Sequence, residues 1–312
     1  MSIIAVATAY HPDRRLAEVV DAALESCEAA VVVDNTPAGL ESAADRLADP
    51  RVTVLRSGRN LGLAGGLNLA LEHLPAAAEA VLFLDQDSVL PAELVAALTA
   101  LLESDSKIGI SAPTPWDPNH DSGYDNLAGL RADVADRTDV ITSGMLVRRE
   151  ALERAGRFRE EFFVDFVDID FCLRVRRAGY RIVQDQRLRL PHTLGDRREH
   201  RLGPLRLLVV HHPAWRQYWI LRGAAVLCRE NLRREPAWSA KSVFFMASWL
   251  WRTAFFADGR VRQTTAAVRG VVDGLLGRVS RRYLPAGASY GREGGEPAAN
   301  HAEGASYGRD AE

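Results

Sequence analysis

The chain has 312 residues at 34.3 kDa, with 47% apolar and 26% charged side chains, a balance that buries a globular core in one large domain or two modest ones. Its 39 basic and 41 acidic side chains nearly cancel, which argues against a uniformly basic nucleic-acid coat and against an acidic disordered chain. Cys27, Cys172 and Cys228 lie far apart with no C-x-x-C pair, so neither a disulfide scaffold nor a thiolate zinc site is expected, which suits a reducing cytosol.

Residues 3–7 read as a first strand, and the opening MSIIAVATAYHP lacks the basic n-region and cleavage site of a signal peptide. Leu16, Val19, Val20, Ala23, Leu24 and Cys27 then recur at the 3.6-residue period of one helix face. Residues 31–33 form a second strand that stops at Asp34-Asn35-Thr36-Pro37. A helix over 38–48, a strand over 52–55, a helix over 63–74 and a strand over 81–84 follow, with Pro91 in the first turn of the next helix. This alternation predicts right-handed βαβ units and a mostly parallel sheet, whose ligands bind beyond the carboxyl ends of the strands. Residues 114–138 read as a loop over the sheet, 140–147 as a strand and 168–178 as a helix. From about residue 205 the pattern becomes helical and rich in Arg and Trp. Its longest apolar stretch, 243–257, is interrupted by Arg252 and falls short of a membrane span. From 285 onward apolar periodicity ceases, and GASYGR occurs at 287–292 and again at 304–309, which reads as a disordered low-complexity tail.

Several constellations near strand ends carry candidate chemistry. Asp85-Gln86-Asp87 follows VLFL, and carboxylates at i and i+2 on an extended chain point to one face. Such a like-charged pair suits a hard divalent cation, while an Asp-rich turn explains it as well. Asp34 could accept the ring N–H of a pyrimidine base or form an Asx turn. In RNLGLAGGLNLAL (59–71), Gly62, Gly65 and Gly66 admit either a ligand near a helix N-terminus or close helix–sheet packing. In FFVDFVDIDFCLRVRRAGY (162–180), Asp165, Asp168 and Asp170 cluster at a helix entry, where the helix dipole favours acids and where one could act as a general base. His192, in PHTLG, is a structural residue unless other ligands converge on it.

Taken in order, VVVDNTP, RNLGLAGGLNLAL, FLDQDS, TSGMLVRR, FFVDFVDIDFCLR and HTLG resemble the inverting family-2 glycosyltransferases of the GT-A fold. Within that family the chain is most similar to bacterial rhamnosyltransferases that use dTDP-L-rhamnose, and HHPAWRQYWILRG (211–223) resembles the region after their catalytic domain. The fold implied is α/β, a GT-A domain with a mostly parallel central sheet over 1–204, followed by a basic Trp-rich helical segment over 205–285 and a tail over 286–312. The resemblance implies that Asp34 holds the nucleotide base and that Arg59, Asn60 and Gly62 help shape the donor pocket. It implies Asp87 and His192 as ligands of Mg²⁺ or Mn²⁺, with Asp85 on the donor ribose or the metal. Asp168 falls at the catalytic base, with Asp165 and Asp170 as supporting carboxylates. Phe171 stands where relatives often carry Trp, and Gly223 where they often carry Asn. The implied reaction is a single inverting displacement from a nucleotide sugar onto a hydroxyl of a glycan or lipid-linked acceptor. A UDP-hexose or UDP-galactofuranose donor, or a non-catalytic sugar-nucleotide module, are the competing readings. A nucleotidyltransferase would carry an early glycine- and Lys/Arg-rich loop, and TAYHP is not one.

Charge is unevenly distributed. Residues 1–196 hold 20 basic and 31 acidic side chains, whereas residues 197–282 hold 17 and 5, together with five of the six tryptophans. Arg and Trp on helices suit an anionic bilayer surface, and the same charge suits packing on the acidic domain. The expectation is a cytoplasmic protein, peripheral on the inner face of the membrane, with no nucleic-acid partner because no binding motif accompanies the charge.

Overall fold

The computed structural model describes residues 1–118, 122–123, 133–192, 196–202 and 205–290. The expected loop over 114–138 therefore lies partly outside the described residues, as do 193–195 of the PHTLG motif and the tail from residue 291 onward.

The core is one large sheet. Strands β1 (Ile3–Ala9), β2 (Ala29–Asp34), β3 (Val52–Arg56), β4 (Ala80–Asp85), β5 (Ile108–Asp117), β6 (Ser122–Gly123), β7 (Val134–Asp136), β8 (Met145–Arg148) and β9 (Arg181–Pro191) build it in the order β3-β2-β1-β4-β8-β5-β9-β7, with β6 on β5. β1 to β5 and β9 run one way; β6, β7 and β8 run against them, so the sheet is mostly parallel.

Both faces of its centre are covered, because the central strands are apolar at nearly every position before their carboxyl ends. Ile4, Val6, Val31, Val33, Val81 and Phe83 face one core with Leu67 of α2 (Gly62–Leu71) and Phe171 of α5 (Val167–Arg177). The alternate residues Ile3, Ala5, Ala30, Val32, Leu82 and Leu84 face the other, against α1 (Arg15–Leu24) and α3 (Leu94–Ser104). The period-2 alternation of strand side chains thus splits one run of apolar residues between two helical layers.

Five expected elements differ, the first being the loop expected over 114–138, where residues 114–117 end β5 and Ser122–Gly123 and Val134–Asp136 form β6 and β7. Residues 38–48 form only a 3₁₀ turn at Ala43–Arg46, because Pro37 and Gly39, with φ +83°, prevent an earlier start. The strand expected over 140–147 begins at Met145, since Gly144 takes φ +78° against Pro113 and Leu190. Helices do not start at 205. Instead β10 (Asp196–Leu202) and β11 (Leu205–His211) pair antiparallel across that boundary, and α6 (Ala214–Asn231) follows. Residues 286–290, placed with the tail by composition, dock on the domain: Asn60 donates its N–H to Gly287 O at 3.1 Å, and Tyr290 lies on Trp219 at 5.4 Å.

α4 is the short helix Arg149–Ala155, and after α6 come α7 (Pro236–Phe256) and α8 (Arg260–Leu275). α6 and α8 approach closely because Gly270 and Gly274 present no side chain: a Cβ at Gly274 would lie 2.5 Å from Arg222 O, and one at Gly270 would meet Tyr218 O. Arg222 is fully buried, its guanidinium donating to Glu161 O and Arg278 O at 2.7 Å each, which ties α6 to the first two hundred residues. No helix among the described residues is long and apolar enough to cross a membrane.

Candidate active site

The site forms where the carboxyl ends of β4 and β9 meet the N-termini of α5 and α6. Asp85 closes β4, Asp87 stands two residues on, and His192 follows β9, its N–H donating to Trp116 O at 2.8 Å. One ligand atom from each of Asp85, Asp87 and His192 lies within 4.8 Å of the others. His192 Nδ1 is 3.8 Å from Asp85 Oδ2 and 3.2 Å from Ser88 Oγ. Loss of water around Asp85 pushes its carboxyl pKa up; His192 and Arg216 oppose that rise and Asp87 adds to it. Two carboxylate oxygens and an imidazole nitrogen in this arrangement suit a divalent cation, which would offset the repulsion between the acids.

The acidic loop before α5 is strained on both sides of Asp165. Phe163 and Phe166 take φ of +58° and +69°, uncommon for bulky residues and a form of strain found at functional sites. Each is seated by a glycine. A Cβ at Gly62 would run into the Phe163 carbonyl, and one at Gly223 would lie 3.0 Å from Phe166 Cβ. The Asn expected at position 223 in relatives would require Phe166 to give by a few tenths of an ångström.

Asp168 sits half-buried in the first turn of α5, with Oδ1 accepting the Ile169 N–H at 2.8 Å. Desolvation raises its pKa to about 7; the Ile169 N–H opposes the rise, and the charges of Asp139 and Asp165 add to it. Asp165 binds Arg216 of α6, with Nη2 to Oδ1 at 3.1 Å. Burial raises the Asp165 pKa and Arg216 counters it. Burial also works against the Arg216 charge, but Asp165 and Asp85 outweigh it and hold the guanidinium protonated. Arg216 therefore stands between the Asp85 cluster and the Asp168 loop. Beside it His212, stacked on Trp249 at 5.9 Å, is pushed down to about 4 by burial and by the Arg216 charge, which leaves a neutral imidazole at pH 7.

The remaining candidates are engaged elsewhere. Asp170 is buried and bridges Arg159 Nη1 at 3.0 Å and Arg174 Nε at 2.8 Å, with Arg159 continuing to Glu230 of α6. Its role here is to anchor α5, away from the Asp85 cluster. Asp34, only 1% exposed, forms an Asx turn: Oδ1 accepts the Thr36 N–H at 2.9 Å and Oδ2 accepts from Arg56 Nη1 at 2.9 Å. Arg56 also pairs with Asp45. Asn60 Oδ1 accepts the Gly62 N–H at 2.9 Å, and the N–H groups of Leu63 and Ala64 donate to Phe163 O, so the start of α2 is capped by protein. Gly62 and Gly66 thus serve close packing, Gly66 against Asn35 and Thr8. Arg59 is half-buried on the same loop.

Sequence reasoning did not single out Arg216, His212 or Asp139. The signal for the first two was their place in HHPAWRQYWILRG; nothing marked Asp139, 29 residues before Asp168 in sequence.

A mostly parallel α/β sheet with an Asp-x-Asp and a His at its carboxyl edge, and a separate carboxylate on an adjoining helix, defines a nucleotide-sugar transferase of the GT-A type. Residues 4–156 form a domain that matches the family described as Glycosyl transferase family 2, and the chain is a glycosyltransferase. It is 29% identical over 245 residues to the dTDP-rhamnosyl transferase RfbF of Shigella flexneri, covering 74% of this chain and 81% of that protein. Among solved structures it is similar to S. aureus TarS (TM-score 0.58, 15% identity, 91% of this chain and 50% of TarS). It is likewise similar to mannosyltransferase PcManGT of Pyrobaculum calidifontis, solved with GDP-Man and Mn²⁺ (TM-score 0.57, 16% identity, 89% of this chain and 88% of that one).

The raised pKa of Asp168 has a sign that stability can test. With an ordinary carboxyl near 3.9 in the unfolded chain, the group's contribution is full below about pH 4 and is lost as pH rises through about 7. Asp168→Asn removes that loss. The melting temperature of the variant relative to wild type, measured without metal, is expected to rise between pH 4.5 and pH 8, and an unchanged difference would show that Asp168 titrates normally.

Proposed function

We propose that this chain is a metal-dependent inverting glycosyltransferase that moves L-rhamnose from dTDP-L-rhamnose to a hydroxyl of a cell-envelope polysaccharide or lipid-linked glycan. The observation that carries the reading is a divalent-cation donor set, Asp85, Asp87 and His192, linked through Arg216 and Asp165 to a distinct carboxylate, Asp168, whose pKa burial raises to about 7. The likeness to a dTDP-rhamnosyl transferase supports the donor.

Asp85, Asp87 and His192 would hold Mg²⁺ or Mn²⁺, which when bound neutralises charge on the donor diphosphate and on the departing nucleotide. Arg216, fixed by Asp165 and directed toward Asp85, adds a second positive charge on the same side. Asp168 takes the proton from the acceptor hydroxyl as its oxygen attacks the anomeric carbon. The bond to the nucleoside diphosphate breaks on the opposite face, so configuration inverts and no covalent enzyme intermediate forms. A base with pKa near 7 is matched to this task at neutral pH, and a positioned base contributes about 10²–10⁴ in rate. The strained Phe163–Phe166 loop fixes where that base stands.

A cavity of about 620 Å³ opens between the start of α6, the start of α8 and the 282–286 segment, and we assign it to the acceptor. Apolar walls from Trp215, Val261 and Leu284, with Arg262 and Arg282, suit an acceptor that is both greasy and anionic. Phe244, Trp251 and Phe255 are exposed along one side of α7 at 76%, 42% and 59%, beside Lys241 and Arg252. That face fits a peripheral contact with anionic lipid on the cytoplasmic side of the membrane.

Asp168→Asn is expected to lower transfer by at least about 100-fold while dTDP-L-rhamnose still raises the melting temperature and UDP-sugars do not. Turnover close to wild type would remove Asp168 from the base role, and a shift with UDP-sugars alone would reassign the donor. Chelation by EDTA is expected to stop transfer and Mg²⁺ or Mn²⁺ to restore it; activity that survives thorough chelation would contradict the metal. In liposome flotation, recovery is expected with anionic vesicles and to fall for Trp251→Glu/Phe255→Glu. Equal recovery on neutral and anionic vesicles would sink the electrostatic contact.

A further inference from the structure

The 285–290 segment occupies a formed peptide seat. Ala288 N–H donates to Pro285 O at 3.1 Å, closing a four-residue turn in which Gly287 takes φ +73°. A turn with positive φ at its third position requires glycine there, and a Cβ on Gly287 would also lie 2.8 Å from Pro37. Beyond the turn the segment pairs as a single parallel bridge with Asn60: Gly287 O accepts from Asn60 N, and Ser289 N–H donates to Asn60 O at 3.0 Å. Tyr290 then lays its ring on Trp219, and burial pushes its hydroxyl pKa up to about 12. Ala288 joins the same cluster with Phe163, Trp219 and Tyr283.

Each of these contacts uses one letter of Gly-Ala-Ser-Tyr. The glycine supplies the turn, the alanine and serine supply backbone pairing with a small footprint, and the tyrosine supplies the anchor. The same four letters recur at Gly304-Ala305-Ser306-Tyr307, followed again by Gly-Arg. Only the lead-in differs, Ala302-Glu303 in place of Pro285-Ala286, and there the turn uses the carbonyl of the first residue and no side chain. We propose that the groove of Pro37, Asn60, Phe163 and Trp219 is a binding site for the peptide Gly-Ala-Ser-Tyr, and that residues 304–307 are its second ligand, exchanging with 287–290 in the same molecule. The site stands independently of the reaction proposed above. Because Asn60 lies on the loop that leads into α2, its occupancy bears on the donor side of the cleft.

The exchange predicts non-additivity in the full chain. Tyr307→Ala alone is expected to leave the melting temperature unchanged, and Tyr290→Ala alone to lower it by no more than about 1 °C, because the other copy fills the seat. Tyr290→Ala/Tyr307→Ala is expected to lower it by about 3–6 °C. A Tyr290→Ala variant that already shows the full loss, with Tyr307→Ala adding nothing, would overturn the proposal. A photo-crosslinking benzoylphenylalanine at position 307 in the Tyr290→Ala background is expected to join tryptic peptides carrying Asn60, Phe163 or Trp219 within monomers. Crosslinks found only in dimers, or none to those peptides, would overturn exchange within one molecule.

Discussion

Repulsion among carboxylates is the constraint on which this cleft depends. Asp85 and Asp87 stand together at the end of β4, and Asp139, Asp165 and Asp168 crowd the entry to α5. Burial makes each charge more expensive than it would be in water, which is why Asp85, Asp139, Asp165 and Asp168 all titrate high. Arg216 separates the two groups, bound to Asp165 and felt by Asp85. It keeps the first group suited to a cation while leaving Asp168, which it does not bind, near neutrality. Two differently composed carboxylate environments arise, one facing the Arg216 guanidinium and one at the start of α5 that lacks it.

That guanidinium comes from α6, so the C-terminal helices are packed against the candidate site and are not an appendage. The attachment is built to be rigid. Arg222 is wholly buried between Glu161 O and Arg278 O, Gly223 admits Phe166, and Gly270 and Gly274 let α8 press against α6. Asp170 holds Arg159, which reaches Glu230 on the far turn of α6. The two positive-φ phenylalanines on either side of Asp165 persist because this packing determines them from both directions.

Much of this was legible in the sequence where local chemistry and period agree. The β–α alternation predicted the central sheet, and polar residues after β4 and before α5 marked the acids that converge. Reading failed where the deciding contact is remote in sequence. Asp34 was open to a base or an Asx turn, and its pair with Arg56, 22 residues away, carried no local mark. The glycines of 62–66 suggested an anion at a helix start, but the Phe163 carbonyl takes those amides. Arg216 carried no local mark, since an arginine in a helical first turn is ordinary until its partner is known. The hairpin of β10 and β11 across residue 204 was missed because strand pairing, unlike a helical period, is not written within one segment.

The opposed charges of the two halves now have a partial destination. Arg216 with Asp165 and Arg222 with Glu161 turn some of the basic excess inward, and Trp219, Trp238 and Trp249 pack within the protein. Interior packing therefore accounts for these tryptophans without a lipid surface. It does not account for Phe244, Trp251 and Phe255, three large apolar side chains left in solvent on one side of a single helix, next to Lys241 and Arg252. Aromatic rings stay exposed at a cost unless something covers them, and flanking cations select an anionic cover. The charge asymmetry thus does two separable jobs: Arg216 tunes the cleft, and the part on α7 faces outward beside the exposed rings.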